Sequence, residues 1–180
     1  RRRLNATVPN QEGRHHYMFL YTGNIGHGDK AVRSQIQKQC SLRPNYSTLH
    51  TGSDMNVAEK LNATFCLEAG GNNPSLRKSI SDSIASGCIP VFFANMTDQE
   101  WPWHFQFWKA AGRVLVPRLA FVEGRLDLIT LLHTTLPPAH LQTMQQTLGQ
   151  HARGFQYSLN EDERDGIRLL LEGLKEEAHT

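Results

Sequence analysis

The sequence predicts an α/β domain with a Rossmann-like, mostly parallel sheet flanked by helices. Three observations carry that expectation. Apolar runs of strand length alternate with helical patterns, which is how βαβ units look in sequence. The 180 residues are enough for one core of ordinary size. Two of the apolar runs pass directly into glycine-rich turns that open helices, near residues 22–30 and 69–76.

Taken in order, residues 1–16 are polar and irregular, an N-terminal tail or linker. Arg1-Arg2-Arg3 is the one basic run and belongs to that solvated terminus. A domain is expected over 17–157 and a C-terminal helix over 158–180. Tyr17-Met18-Phe19-Leu20-Tyr21 is apolar and aromatic, a buried strand. The turn Thr22-Gly23-Asn24-Ile25-Gly26-His27-Gly28-Asp29 follows, then a helix with Ala31 and Ile36 on its apolar face and Cys40 near its end. Residues 41–56 read as loop, with room for a short strand before Leu49, and Val57 to Leu61 suggests a short helix. Ala63–Glu68 is the second clear strand. A helix is expected over 75–86, with Leu76, Ile80 and Ile84 at i, i+4, i+8 and Gly87 as its stop. Ile89–Ala94 is β-branched and strand-like; the aromatic stretch WPWHFQFW follows, and Gly112–Pro117 supplies a fourth strand. Leu141, Met144, Leu148 and Phe155 make one apolar stripe near the end of the chain. Ile167, Leu170, Leu171 and Leu174 make another, with Asn160 and Glu163 spaced as a capping box.

Composition removes several classes of function. A net charge of +2 supplies no field for nucleic acid. No apolar run reaches the ~18 residues needed to span a bilayer. There is no His-Glu-x-x-His, Cys-x-x-Cys or Asp-x-Asp, so no metal site is expected. Four Asn-x-Ser/Thr sequons stand at Asn5, Asn45, Asn62 and Asn95, where ten asparagines and 22 Ser/Thr predict about one. The excess favours a secretory lumen, with any targeting segment outside this chain. Cys66 and Cys88 fall on neighbouring predicted strands, about 4.8 Å apart if paired in parallel. In a lumen a Cys66–Cys88 bridge is favoured; two buried thiols is the alternative, and Cys40 is left over.

Parallel α/β sheets bind ligands at the carboxyl ends of their strands, where helix N-termini offer free N–H groups to phosphates. The first glycine turn has the order G-x-x-G-x-G, not the G-x-G-x-x-G of nicotinamide enzymes, which argues against an oxidoreductase. The second, Gly70-Gly71-Asn72-Asn73-Pro74-Ser75, opens a helix carrying Arg77 and Asp82. On a helix Ser75, Ser79, Asp82 and Ser86 share one face, and Ser75 and Asp82 lie ~10 Å apart along the axis. That span suits a diphosphate at the helix start and a ribose beside its second turn. Equally, Ser75 could only cap the helix, Asp82 be a solvated carboxylate and Arg77 a surface pair.

Phe65-Cys66-Leu67, Gly71, Ser75-x-Arg77, Asp82-x-Ile84 and Gly87-Cys88-Ile89-Pro90-Val91 together closely resemble the exostosin family of glycosyltransferases, family 47. Arg33-x-x-Ile36-x-x-Gln39-Cys40 is similar to the family's arginine helix, and Trp101-Pro102-Trp103 and Trp108 stand where an apolar-Pro-aromatic motif and a Trp are usual. The resemblance covers roughly residues 17–150. It implies a two-Rossmann-domain (GT-B) transferase of which this chain is the C-terminal, donor-binding half. It assigns Arg33, Gly71, Ser75, Arg77 and Asp82 to donor binding and leaves the catalytic residues unassigned. It further implies a nucleoside-diphosphate sugar donor, a UDP-sugar foremost, a glycan acceptor, no metal, and a Golgi or other secretory lumen with a membrane anchor outside this chain. The family pattern also supports the Cys66–Cys88 bridge. Three departures stand out: Asp82 where Glu is commoner, Thr22-Gly23 where Arg-Gly is frequent, and Glu68-Ala69 where Pro usually follows the strand. The alternative is a non-catalytic subunit that binds nucleotide sugar or stabilises a homologous active transferase. Alone, the 180 residues are expected to bind donor weakly and not to turn over.

Overall fold

The computed structural model describes residues 17–22, 26–50, 57–71, 77–99, 101–105, 107–159 and 164–179. Its centre is a five-stranded, all-parallel sheet of order β2-β1-β3-β4-β5. The strands are β1 (Tyr17–Thr22), β2 (Ser47–His50), β3 (Ala63–Glu68), β4 (Ile89–Phe92) and β5 (Val114–Leu115). Parallel neighbours require crossovers, and these are α1 (Lys30–Ser41) between β1 and β2, α2 (Val57–Lys60) ahead of β3, and α3 (Lys78–Ser86) between β3 and β4. Then come α4 (Asn95–Gln99), α5 (Lys109–Gly112), α6 (Arg118–Val122), α7 (Leu128–Thr135), α8 (Pro138–His151) and α9 (Gly166–Glu177). The chain runs from β1 outward to β2 and then returns to β3 on the other side of β1. That reversal is the topological switch point of a doubly wound sheet.

The predicted α/β class and the strands at 17–21 and 63–68 are present, and α1 buries Val32, Ile36 and Cys40. Phe19 and Phe65 stack across β1 and β3 with ring centroids 5.2 Å apart. Cys66 and Cys88 are bridged, with Cα atoms 5.7 Å apart, and with Ala63 they form a small buried cluster beside the main core. Cys40 is a free, buried thiol.

Several boundaries differ from the sequence expectation. Residues 47–50, where the sequence left room for a short strand before Leu49, pair with β1 as an edge strand in register with Phe19–Thr22. The helix expected from 75 begins at Lys78, since Arg77 is extended at φ −122, ψ 128 and acts as its N-cap. It ends as expected on Gly87, whose φ of 68° suits glycine. The fourth strand shrinks to Val114–Leu115, because Gly112 closes α5 against the Trp108 ring. The final helix is capped by Asp165, which accepts from the Arg168 amide at 3.0 Å; the expected capping pair, Asn160 and Glu163, lies outside the described residues. Its predicted stripe of Ile167, Leu170, Leu171 and Leu174 stays largely exposed. Instead α9 sits down on its small residues, with Gly173 under the Trp103 indole and Leu169 against Gly154.

The aromatic stretch at 101–108 packs mostly at the edge of the core, although Phe107 points out at 92% exposure. Phe105 and Trp108 are buried, Trp101 packs on Phe155 at 5.1 Å, and the Trp108 indole donates to the His104 carbonyl at 2.7 Å.

Candidate functional site

The switch point brings the turn after β1 against the turn after β3. A side chain on Gly28 would place its Cβ 2.5 Å from the Gly70 oxygen and 2.9 Å from Gly71 Cα, and its φ is +71°. Only glycine allows this approach. The Gly70 carbonyl then accepts three hydrogen bonds: from the Asp29 amide at 3.1 Å, Arg33 Nη2 at 3.0 Å and Arg33 Nε at 3.3 Å. One carbonyl oxygen thus joins the turn after β3 to the start of α1.

Arg33 is 3% exposed, one turn into α1. Arg77 approaches the same turn from α3 and donates to the Ala69 carbonyl. Two guanidinium groups, predicted from sequence as donor ligands, therefore converge on the short Ala69–Gly71 segment. Beneath them the Tyr21 phenol is buried, and its pKa is raised by burial, which outweighs the opposing fields of Arg33 and Arg77.

Asp29 carries a second connection across the sheet's carboxyl edge. It caps α1 by accepting from the Val32 amide at 3.2 Å and receives Arg118 at 2.7 and 3.0 Å. The Arg118 hydrogen bond holds its carboxyl below the usual range, against burial. Arg118 opens α6, so this pair spans from the β1 turn to the segment after β5. Beside it, a cavity of about 580 Å3 opens at the carboxyl ends of β4 and β5, lined by Phe93, Asn95, Val116, Pro117, Arg118 and Leu119 among others.

Sequence reasoning missed the polar network under α3. Lys60, 1% exposed, gives its three N–H donors to Glu68 Oε1 at 3.0 Å, the Ser79 carbonyl at 2.6 Å and Ser83 Oγ at 2.6 Å. Glu68 also accepts from Ser83 Oγ at 2.7 Å and from Ser79 Oγ. Burial pushes the Glu68 carboxyl up, but Lys60, the two serines and Arg77 more than offset it, so it sits below the ordinary range. A signal existed: a glutamate ending an apolar strand must find a cation, and serines four apart on the next helix could meet it.

The predicted polar face of α3 is thereby corrected. Ser79 and Ser86 are buried, Ser79 against Glu68 and Ser86 on the helix's own carbonyls, so they do not line a ligand face. Asp82 stands at the margin, its carboxylate held by Lys78 at 2.8 and 2.9 Å. Gly71 is half-buried at the turn, and Ser75 lies outside the described residues. Among the described residues no group of His, Cys, Asp or Glu could hold a metal ion. Among those same residues no helix is long and apolar enough to cross a membrane.

A profile of the Exostosin GT47 domain matches residues 4–108, from the N-terminal tail through both glycine turns to Trp108. The chain belongs to this family. The match starts earlier than the resemblance read from residues 17–150 and ends well before it on the carboxyl side. Relatives of this GT47 domain include two Arabidopsis thaliana proteins named probable xyloglucan galactosyltransferase GT13 and GT12. The first is 28% identical over 127 residues, 64% of this chain and 27% of the relative. The second is 29% identical over 125 residues, 64% of this chain and 24% of the relative. A third Arabidopsis protein, probable xyloglucan galactosyltransferase GT14, is 35% identical over 99 residues, 49% of this chain and 19% of its own length. The chain spans about a quarter of the length of the relatives it matches.

Proposed function

We propose that this GT47 domain is the donor-binding half of a glycosyltransferase that moves a sugar from a nucleoside diphosphate to a glycan hydroxyl. The observation that carries the reading is the convergence of Arg33 and Arg77 on the Ala69–Gly71 turn at the switch point of a parallel sheet. Anionic ligands favour such a place, where cations and a helix N-terminus share one crevice. In the reaction the glycosidic bond to the diphosphate breaks and the departing group gains negative charge. Arg33 and Arg77 stabilise that charge electrostatically, which makes the reaction independent of a metal. As the family resemblance implies, Gly71 and Ser75 bind the diphosphate and Asp82 the ribose. Deprotonation of the acceptor falls to a general base outside these residues.

The names of the relatives support transfer of galactose to a xyloglucan-like acceptor; the family resemblance adds a UDP-linked donor and a reaction in a secretory lumen such as the Golgi, with an anchor outside this chain. The test is calorimetric titration of the full-length protein with UDP, GDP, UDP-galactose and UDP-glucose. A Kd for UDP that rises by about tenfold in Arg77→Ala supports the reading. No heat with any nucleotide would sink it.

One observation favours a second reading. Both guanidinium groups are already bonded to backbone carbonyls, as in a scaffold rather than an open anion trap. A pseudo-transferase that stabilises a homologous active subunit needs nothing more. Nucleotide binding without sugar transfer by the full-length protein, together with recovery of activity on mixing with a homologue, would select it.

A further inference from the structure

Of the four sequons, those at Asn45, Asn62 and Asn95 fall on described residues. An N-glycan is bulky and hydrophilic, so its asparagine must face water with free space beyond it. Asn45 lies in the turn from α1 to β2, two residues before the strand, and Asn62 in the turn from α2 to β3, one residue before it. Both are exposed, and their side-chain amides make no hydrogen bond among the described residues. Because β2 and β3 run parallel, both asparagines lie at the sheet's amino edge. The length of β3, about 20 Å, separates Asn62 from the Ala69–Gly71 turn at the other edge.

Asn95 is exposed as well but lies at the opposite edge of the sheet. It begins α4 directly after β4 and lines the cavity at the carboxyl edge beside Phe93 and Arg118. An oligosaccharide there would fill the mouth of that cavity.

We propose that Asn45 and Asn62 are N-glycosylated and that, among the described residues, they make the amino edge a sugar-coated face of the domain. In the modification Nδ2 of each asparagine attacks the anomeric carbon of a lipid-diphosphate-linked oligosaccharide. An N-glycosidic bond forms, the diphosphate lipid leaves, one amide proton passes to the modifying enzyme's base, and no redox change occurs. Attachment at Asn45 precedes folding. The hydroxyl of Ser47, the third sequon residue, ends up buried on the Cys40 and Arg43 carbonyls at 2.9 Å each.

This rests on the secretory part of the proposed function, and one experiment separates the two. Full-length protein from its own cells is treated with a peptide N-glycosidase in heavy-oxygen water, digested without reduction and mapped by mass spectrometry. Labelled aspartate is expected at positions 45 and 62. Asn45→Gln and Asn62→Gln should each remove one glycan from the electrophoretic band while the protein still folds. Unmodified Asn45 and Asn62 beside an intact Cys66–Cys88 bridge overturns the proposal and leaves the secretory reading standing. The same result with both cysteines reduced overturns the two together.

Discussion

Replacing Lys60 by methionine strips the Glu68 carboxylate of its cation in the least hydrated part of the domain, where Lys60 is 1% and Glu68 6% exposed. Removing one member of a buried ion pair costs about 3–5 kcal/mol. Glu68 keeps the Ser79 and Ser83 hydroxyls and the field of Arg77, so the lower end, about 3 kcal/mol, is expected. Removing both charges in Lys60→Met/Glu68→Met should restore most of that loss. Ser83 still has the Ser79 carbonyl at 2.9 Å, and only the Ser79 hydroxyl is orphaned, for about 1 kcal/mol.

The pH dependence gives an independent sign. In the wild type, burial alone would raise the Glu68 carboxyl, but Lys60 and its neighbours hold it below the unfolded value. Its contribution is therefore present above the unfolded pKa, near ~4.3, and fades as pH falls through the folded one. In Lys60→Met, burial is no longer opposed by an ammonium and the folded pKa moves above the unfolded one. The carboxylate then destabilises the fold at neutral pH, and acidification relieves it. Urea unfolding at pH 7 and pH 5, compared at constant m, should show the gap to wild type narrowing at the lower pH. A single variant within about 1 kcal/mol of wild type, or a gap that widens on acidification, would refute this account of the network.

Three further outcomes follow from the geometry. Gly28→Ala meets both a left-handed backbone and the Gly70 oxygen at 2.5 Å, so thermal unfolding should report a loss of about 2–4 kcal/mol. Cys66→Ala/Cys88→Ala opens a loop of sequence separation 22, and the urea midpoint should fall by the equivalent of about 3 kcal/mol, with dithiothreitol no longer affecting the variant. Cys40, its thiol pushed up to about 11 chiefly by burial, should resist iodoacetamide at pH 8 in native protein and react promptly in 6 M guanidinium as a control for exposure; equal rates in both would contradict its burial.

What was legible in the sequence was the part governed by neighbouring residues. Tyr17–Tyr21 and Ala63–Glu68 are short apolar runs beside glycine turns, and Gly87 ends α3 by its own backbone freedom. The Arg33 and Arg77 positions were legible through the family pattern, and the structure brings both to one turn. The partner of Arg33 was not, because Gly70 lies 37 residues away and only sheet order joins them. β2 was faint for a related reason: Ser-Thr-Leu-His has no strong alternation and becomes a strand by pairing with β1. The α3 serines suggested a ligand face because period alone cannot tell which way a helix face turns; Lys60 and Glu68 decided it. The stripe on α9 misled in the opposite sense, since Gly166 and Gly173 let the helix lie on its glycine side.

The Cys66–Cys88 bridge has a mechanical meaning beyond stability. It fixes β3 to β4 covalently, so the Ala69–Gly71 turn and the cavity wall at Phe93–Asn95 travel as one body. β1 has no such tie: it meets β3 through ladder hydrogen bonds, the Phe19–Phe65 stack and the three bonds to the Gly70 oxygen. Any separation of the β1 turn from the β3 turn must therefore act on the β1–β3 seam. A ligand that draws Arg33 away from Gly70 would loosen that seam.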